Sequence, residues 1–127
     1  ADIVSLHIPS TESTHGLIDE EALAALGQRG YLINTSRGAV VDESALIHAL
    51  QHGIIAGAGL DVFDPEPPQE DNPLFELDNV VLTPHLASFT DQGRRRMGLM
   101  VVEDVLKVLN GEQPKYCANS DIINPTN

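Results

Sequence analysis

Four side chains capable of acid–base or anion-binding chemistry follow apolar runs of this sequence. Arg37 follows "YLINTS", Asp61 and Glu66 follow "IIAGAGL", and His85 follows "NVVLTP". If these runs are parallel strands, their carboxyl ends share one sheet edge, which is where ligands of open α/β sheets bind. An arginine can bind a carboxylate through two parallel hydrogen bonds, and a histidine beside a carboxylate can transfer a proton near neutral pH. The set therefore indicates acid–base chemistry on a carboxylate substrate.

Each of these side chains also has a simpler interpretation when it is taken alone. Arg37 is typical of a surface ion pair, Glu66 of a solvated acid in an acidic, proline-rich loop, and His85 of a buried, hydrogen-bonded histidine. Asp61, at the end of an apolar strand, needs a polar partner wherever it is buried. Residue type alone leaves both interpretations open.

The surrounding pattern predicts an α/β fold with a parallel sheet. The four predicted strands are rich in β-branched residues and almost continuously apolar, which indicates cover on both faces; they are Asp2–Ile8, Gly30–Ser36, Ile54–Phe63 and Asn79–His85. Asp19 is suited to cap a helix that ends near Gly27 or Gly30, and Asp42 a second helix that ends at Gly53. Alternating strands and helices favour right-handed crossovers between parallel strands.

The second half of the chain carries two further predictions. The segment Asp64–Asp78 has four prolines and six acidic residues, so we expect a loop with at most one helical turn. Thr90 is suited to cap a longer helix that ends at Gly111. The spacing of one apolar set predicts a buried face on this helix; the set is Met97, Val101, Val105 and Val108. The polar tail, residues 112–127, is either a loop or a strap onto a part of the protein outside this chain.

Composition excludes several classes of function. A net charge of −12 over 127 residues argues against nucleic-acid binding, and the arginines 94–96 are typical of a solvated helix face. One cysteine, Cys117, and the lack of a long apolar run predict a cytoplasmic protein without a membrane partner. His48 and His52 have metal-ligand spacing, but no third ligand is evident, so we predict no metal site.

Three motifs in register carry a resemblance to a known family. "INTSRGAVVDESAL", "GLDVFDPEPP" and "NVVLTPHLAS", in this order, resemble the D-isomer-specific 2-hydroxyacid dehydrogenases, a family that includes glyoxylate/hydroxypyruvate reductases and phosphoglycerate dehydrogenase. The resemblance implies the later half of a Rossmann-type cofactor domain at residues 1–90 and a return helix and tail at residues 91–127. It assigns substrate orientation to Arg37, acid–base catalysis to His85 and the acidic partner to Glu66. A homodimer is implied for the full-length protein.

The same resemblance implies NAD or NADP as cofactor. The residues to which it assigns cofactor contacts are Ile8, Pro9, Thr14, Thr35, Ser36, Arg37, Asp61, His85 and Ser88. The phosphate-binding G-x-G-x-x-G motif is not found in the 127 residues of the sequence. The similar stretch "GAGLDV" at Gly57–Val62 lacks the third glycine. The chain also begins inside a predicted strand. We therefore expect a piece of a longer protein that binds a dinucleotide poorly by itself.

The resulting functional prediction is an NAD(P)-dependent reductase of a small 2-oxo acid, such as glyoxylate, hydroxypyruvate or pyruvate. One alternative is a regulatory protein similar to the NAD-binding transcriptional corepressors of the same family. Another is an inactive fragment whose exposed sheet edge drives self-association.

Overall fold

The computed structural model describes residues 1–119, in which four short strands form one parallel sheet in the order β1-β2-β3-β4. The strands are β1 (Ile3–Leu6), β2 (Tyr31–Asn34), β3 (Gly57–Leu60) and β4 (Val80–Leu82). Their last residues, Leu6, Asn34, Leu60 and Leu82, are register partners from each strand to the next. The predicted parallel α/β fold is confirmed, and the loops that carry the candidate residues leave the sheet at one edge.

Two helices, α1 (Glu20–Leu26) and α2 (Glu43–Gln51), connect the first three strands. Both predicted caps form: the Asp19 carboxylate accepts a hydrogen bond from the Ala22 N–H at 2.9 Å, and the Asp42 carboxylate accepts one from the Ala45 N–H at 3.0 Å. Such caps satisfy amide groups that have no partner within the helix.

The core lies between these helices and one face of the sheet. Leu23 of α1 and Leu46 of α2 are buried in a cluster that includes Leu32 and Leu60. The opposite face is open, because the side chains of Ile3, Tyr31 and Val81 are 63%, 49% and 68% exposed. Within residues 1–87, helices cover only one face of the sheet, so the expectation that both faces are covered is wrong for this unit.

The acidic, proline-rich segment after β3 is a loop with one 3₁₀ turn at Pro73–Glu76, as predicted. Asn72 anchors this loop: its side-chain NH₂ donates to the Glu43 carboxylate at 2.7 Å, and its side-chain oxygen accepts from the Leu74 N–H at 2.9 Å. Leu74 is buried in the core, so the loop has a fixed base.

The long helix α3 (Asp91–Leu109) begins at the predicted cap, Thr90, whose hydroxyl accepts from the Gly93 N–H at 2.9 Å. It lies in a second compact unit that starts at Ser88, whereas residues 1–87 form the first. The predicted buried face is wrong within the described residues: no α3 residue is buried, and the exposed fraction is 47% for Met97 and 63% for Val101.

The described part of the tail is a loop that folds onto α3. The Asp104 carboxylate accepts hydrogen bonds from the N–H groups of Lys115 and Tyr116, each at 2.8 Å. The rest of the predicted loop or strap, residues 120–127, lies outside the described residues. None of the helices within residues 1–119 is long and apolar enough to cross a membrane.

Candidate active site

Glu66 and His85 form a hydrogen-bonded pair at the carboxyl edge of the sheet. Glu66 lies in the loop after β3 and His85 in the loop after β4, and His85 Nδ1 is 2.7 Å from Glu66 Oε1. Both side chains remain partly exposed, at 47% for His85 and 38% for Glu66. With Nδ1 directed at the carboxylate, Nε2 is the ring nitrogen left for another partner. It is an acceptor in the neutral ring and a donor in the imidazolium.

The backbone of His85 adopts a conformation that side-chain-bearing residues seldom take. Its φ angle is 56°, in the left-handed region, and its N–H donates to the Thr83 carbonyl at 3.1 Å across Pro84. A residue with a Cβ atom occupies this region at a cost and persists there only when neighbouring contacts hold it. The loop must therefore contain groups that impose this geometry.

Asp61 supplies those groups from the end of β3. Its side chain is almost fully buried, and within the described residues it accepts hydrogen bonds from the Thr83 hydroxyl and from the N–H groups of Leu86 and Ala87, both at 2.7 Å. Burial raises the pKa of this carboxyl. The hydrogen bonds and the nearby His85 lower it by a larger amount, so the pKa lies below its ordinary value. Asp61 thus stays ionised and anchors the Thr83 side chain before His85 and the backbone after it.

Arg37 lies at the same edge, three residues beyond the end of β2. Its side chain is exposed, and Nη1 donates to the Ser36 carbonyl at 2.6 Å. Asn34, which is only 1% exposed, holds this segment. Its side-chain oxygen accepts from the N–H and the hydroxyl of Ser36, both at 3.1 Å, and its NH₂ donates to the Arg37 carbonyl at 2.9 Å.

Asn34 is the functional-site residue that our sequence reasoning missed. The sequence does indicate it, because an amide on the core-facing side of an apolar strand must find hydrogen-bond partners. The same argument drew attention to Asp61, which also ends a strand.

A close backbone contact links the Arg37 loop to the loop that carries Glu66. A Cβ atom placed on Gly38 would lie 2.0 Å from the carbonyl carbon and oxygen of Phe63 and 2.7 Å from the Asp64 nitrogen. Only glycine permits this approach. Together with the aligned strand ends, the contact brings Arg37 to the same rim as the Glu66–His85 pair.

The remaining residues assigned to cofactor contacts are more dispersed. Ile8 packs partly against the core, and the Pro9 carbonyl accepts from the Thr14 hydroxyl at 2.8 Å, which closes the turn after β1. Thr35 is exposed beside Ser36, whereas Ser88 lies in the second compact unit. Their contacts with a cofactor stay predictions.

The donor set at this edge fits part of a dinucleotide. Exposed hydroxyl and backbone groups at the carboxyl ends of parallel strands suit the ribose and nicotinamide portions. Within residues 1–119, no group of three side chains is arranged to hold a metal ion.

Glu66 also lines an open groove of about 550 Å³ on the first unit. Its walls are mainly apolar and include Phe63, Phe75 and Leu82. The Glu66 carboxylate therefore has an apolar surface on one side and His85 on the other.

Comparison with known proteins identifies the family of this chain. Residues 1–87 match the model of the D-isomer specific 2-hydroxyacid dehydrogenase family, NAD binding domain. The chain belongs to this family. The matched residues contain Arg37, Glu66 and His85 together with the buried residues that hold their loops. The resemblance predicted from the three motifs is confirmed.

Among curated members of the family, a glyoxylate reductase from Thermofilum pendens is 48% identical over 97% of this chain and 36% of its own length. A solved structure of a protein from Thermus thermophilus is 49% identical, with a TM-score of 0.84 over 91% of this chain and 37% of that one.

An NADPH-dependent glyoxylate/hydroxypyruvate reductase from Sinorhizobium meliloti, solved with NADP and malonate, is 45% identical with a TM-score of 0.75. The match covers 82% of this chain and 32% of that one. The chain thus spans only about a third of the length of these relatives.

Proposed function

We propose that the full-length protein containing this chain reduces a small 2-oxo acid to its 2-hydroxy acid with NADH or NADPH. The observation that carries the proposal is the Glu66–His85 pair, 2.7 Å apart, at the sheet edge that also presents Arg37. Support comes from the relatives, which include a glyoxylate reductase and an NADPH-dependent glyoxylate/hydroxypyruvate reductase. Glyoxylate and hydroxypyruvate are therefore the first substrates to test.

The roles of the side chains follow from their chemistry. The Arg37 guanidinium binds the carboxylate of the 2-oxo acid through charge-assisted hydrogen bonds and orients the adjacent carbonyl. In reduction, His85 donates the proton on Nε2 to the carbonyl oxygen, and in oxidation it takes the proton from the hydroxyl. The Glu66 carboxylate accepts a hydrogen bond from Nδ1 and so orients the ring, with Nε2 free to face the substrate. A bound nicotinamide supplies the hydride.

The residues proposed to hold the cofactor are those that the family resemblance assigns. They are Ile8, Pro9, Thr14, Thr35, Ser36, Arg37, Asp61, His85 and Ser88. NAD is supported by the description of the family's domain, and NADP by the S. meliloti relative. The choice between them is left to the measurement below.

Three further features of the full-length protein belong to this proposal. Residues 1–90 form part of the cofactor domain, and residues 91–127 lead from it to a substrate domain. The protein acts in the cytoplasm, which its single cysteine supports. It is a homodimer, as the family resemblance implies.

The proposal is tested by following NADH and NADPH oxidation by the full-length protein with glyoxylate, hydroxypyruvate and pyruvate. We expect turnover of at least one acid, and a loss of about a hundredfold in kcat/KM for Arg37→Ala, the range expected for charged hydrogen bonds. Arg29→Ala, at an exposed arginine in the turn before β2, is the matched control and should retain activity.

Two results would contradict the proposal. Binding of NADH without reduction of any acid would favour a regulatory protein over an enzyme. Equal losses in Arg37→Ala and Arg29→Ala would show that Arg37 has no specific role at the substrate.

A further inference from the structure

We infer that Asn34 is a positioning residue that fixes Arg37 for the carboxylate of the substrate. The inference rests on the proposed function, because it assigns the substrate carboxylate to Arg37. Asn34 itself is 1% exposed at the last position of β2, so it acts through Arg37 and does not touch the substrate.

The Asn34 side chain makes three hydrogen bonds to the segment that carries Arg37. Its oxygen accepts from both the N–H and the hydroxyl of Ser36, each at 3.1 Å, and its NH₂ donates to the Arg37 carbonyl at 2.9 Å. The backbone on both sides of the Ser36–Arg37 peptide bond is thereby held by one buried amide. A buried amide with its partners in place fixes geometry more strictly than exposed hydrogen bonds, because any departure leaves polar groups without partners.

The guanidinium of Arg37 contacts the same backbone. Arg37 Nη1 donates to the Ser36 carbonyl at 2.6 Å, so the side chain rests on the peptide that Asn34 orients. An exposed arginine otherwise has several rotatable bonds and a large conformational entropy to lose on binding. Asn34 thus reduces the range of positions from which Arg37 approaches a carboxylate.

Asn34 is also hydrogen-bonded to Asp61, which holds the loop around His85. Its backbone carbonyl accepts from the Asp61 N–H at 2.9 Å, and the Asp61 carboxylate holds the loop around His85. Adjacent strand ends therefore carry two buried polar residues, one for the Arg37 loop and one for the His85 loop. Their direct hydrogen bond sets the register of the two loops.

The test uses Asn34→Ala and Asn34→Asp in the full-length protein, with Asn72→Ala as the matched control. Asn72 is also a buried asparagine that donates and accepts through its side chain, but its partners are Glu43 and Leu74. Asn34→Asp keeps the acceptor for Ser36 and loses the donor for the Arg37 carbonyl, so it provides a milder change if Asn34→Ala does not fold.

Two readouts separate positioning from general stability. Hydrogen–deuterium exchange of the peptide covering residues 35–40 should accelerate about tenfold in Asn34→Ala and remain unchanged in Asn72→Ala, as expected when a buried hydrogen bond is lost. The KM for the 2-oxo acid should rise about tenfold in Asn34→Ala, while the Kd for NADH stays within about twofold of wild type and the melting temperature falls no further than in the control.

Unchanged exchange in both Asn34 variants would overturn the inference. So would faster exchange with a KM equal to that of Asn72→Ala, because Asn34 would then be structural only. If the wild-type protein reduces no acid, the proposed function fails, and the exchange measurement still decides whether Asn34 restrains the Arg37 loop.

Discussion

The candidate site depends on two buried polar side chains at the ends of neighbouring strands: Asn34 is the last residue of β2, and Asp61 directly follows β3. Asn34 and Asp61 are 1% and 3% exposed, and each uses its side chain to hold a loop that carries a proposed catalytic residue. Burial of such groups is costly unless every polar atom has a partner. These hydrogen bonds tie each loop to the end of a strand. The positions of the strands in the sheet therefore set the relative positions of the proposed catalytic residues.

The lowered pKa of Asp61 predicts a specific pH dependence of stability. Below the ordinary value near 3.8, the unfolded chain takes up a proton at Asp61 before the folded protein does. The stabilisation is therefore complete above about pH 5 and is lost as the pH falls through the folded pKa. Asp61→Asn offers one acceptor oxygen to several donors, and we expect it to cost about 2 kcal/mol at neutral pH.

Urea unfolding of the wild type and Asp61→Asn between pH 3 and 7 measures this difference. The gap in free energy of unfolding should shrink toward acid pH. Asp78→Asn, at an exposed aspartate before β4, is the control. A gap that stays constant across the range would show that Asp61 is not held as a carboxylate.

At the scale of residues, the types of the side chains predicted acid–base chemistry on a carboxylate. Their positions after the apolar runs predicted that the site lies at the carboxyl edge of the sheet. The 2.7 Å contact between Glu66 and His85 was expected only from the family resemblance. The left-handed backbone conformation of His85 was not predictable. It depends on hydrogen bonds that Asp61 accepts from the N–H groups of Leu86 and Ala87, 25 and 26 positions later in the chain. Asn34 was overlooked, although its polar side chain in an apolar strand signalled a need for partners.

At the scale of elements, the contact between the loops after β2 and β3 sets how closely Arg37 and Glu66 approach. Gly38 lies against the backbone of Phe63 and Asp64, where a Cβ atom does not fit. In the sequence, the glycine after Arg37 is as typical of an ordinary turn as of a contact between two loops. The neighbouring loop is distant in sequence, so only the folded sheet shows it.

Gly38→Ala is expected to separate these loops. The added methyl group should cost about 1–3 kcal/mol through overpacking and lower kcat/KM for the 2-oxo acid. Gly98→Ala is the matched control, because a Cβ atom at this position of α3 meets nothing within 4 Å. The control should gain up to about 1 kcal/mol from helix propensity.

Thermal unfolding of both glycine variants gives the comparison. Opposite shifts in melting temperature are expected, with a loss of activity confined to Gly38→Ala. Equal shifts would mean that the backbone contact at Gly38 relaxes without cost.

At the scale of the whole molecule, large apolar side chains are exposed in both units of the described chain. One face of the sheet presents Ile3, Tyr31 and Val81, and α3 presents Val105 and Leu109 at exposed fractions of 51% and 76%. Helix periodicity correctly predicted α3 and its cap but not what covers it. Within residues 1–119, no element buries the apolar side chains of α3.

This surface predicts self-association of the chain when it is prepared alone. Large exposed apolar patches favour association, while a net charge of −12 opposes it, so added salt should increase the associated fraction. Val105→Gln combined with Leu109→Gln should reduce that fraction without changing the charge. Sedimentation velocity at low and high salt measures it.

Ala24→Gln combined with Ala25→Gln, on the exposed surface of α1, is the control pair and should associate as the wild type does. A monomer at every salt concentration would show that the apolar surface of α3 is insufficient for association.

The hydrogen bonds that hold the site also bear on how such a protein can be recombined. Arg37, Glu66 and His85 and their supports Asn34 and Asp61 all lie between residues 34 and 85 of one compact unit. A crossover between two homologous genes inside this segment would pair a strand end from one parent with a loop from the other. Chimaeras of the proposed reductase are therefore expected to retain activity when residues 34–85 are inherited whole from one parent.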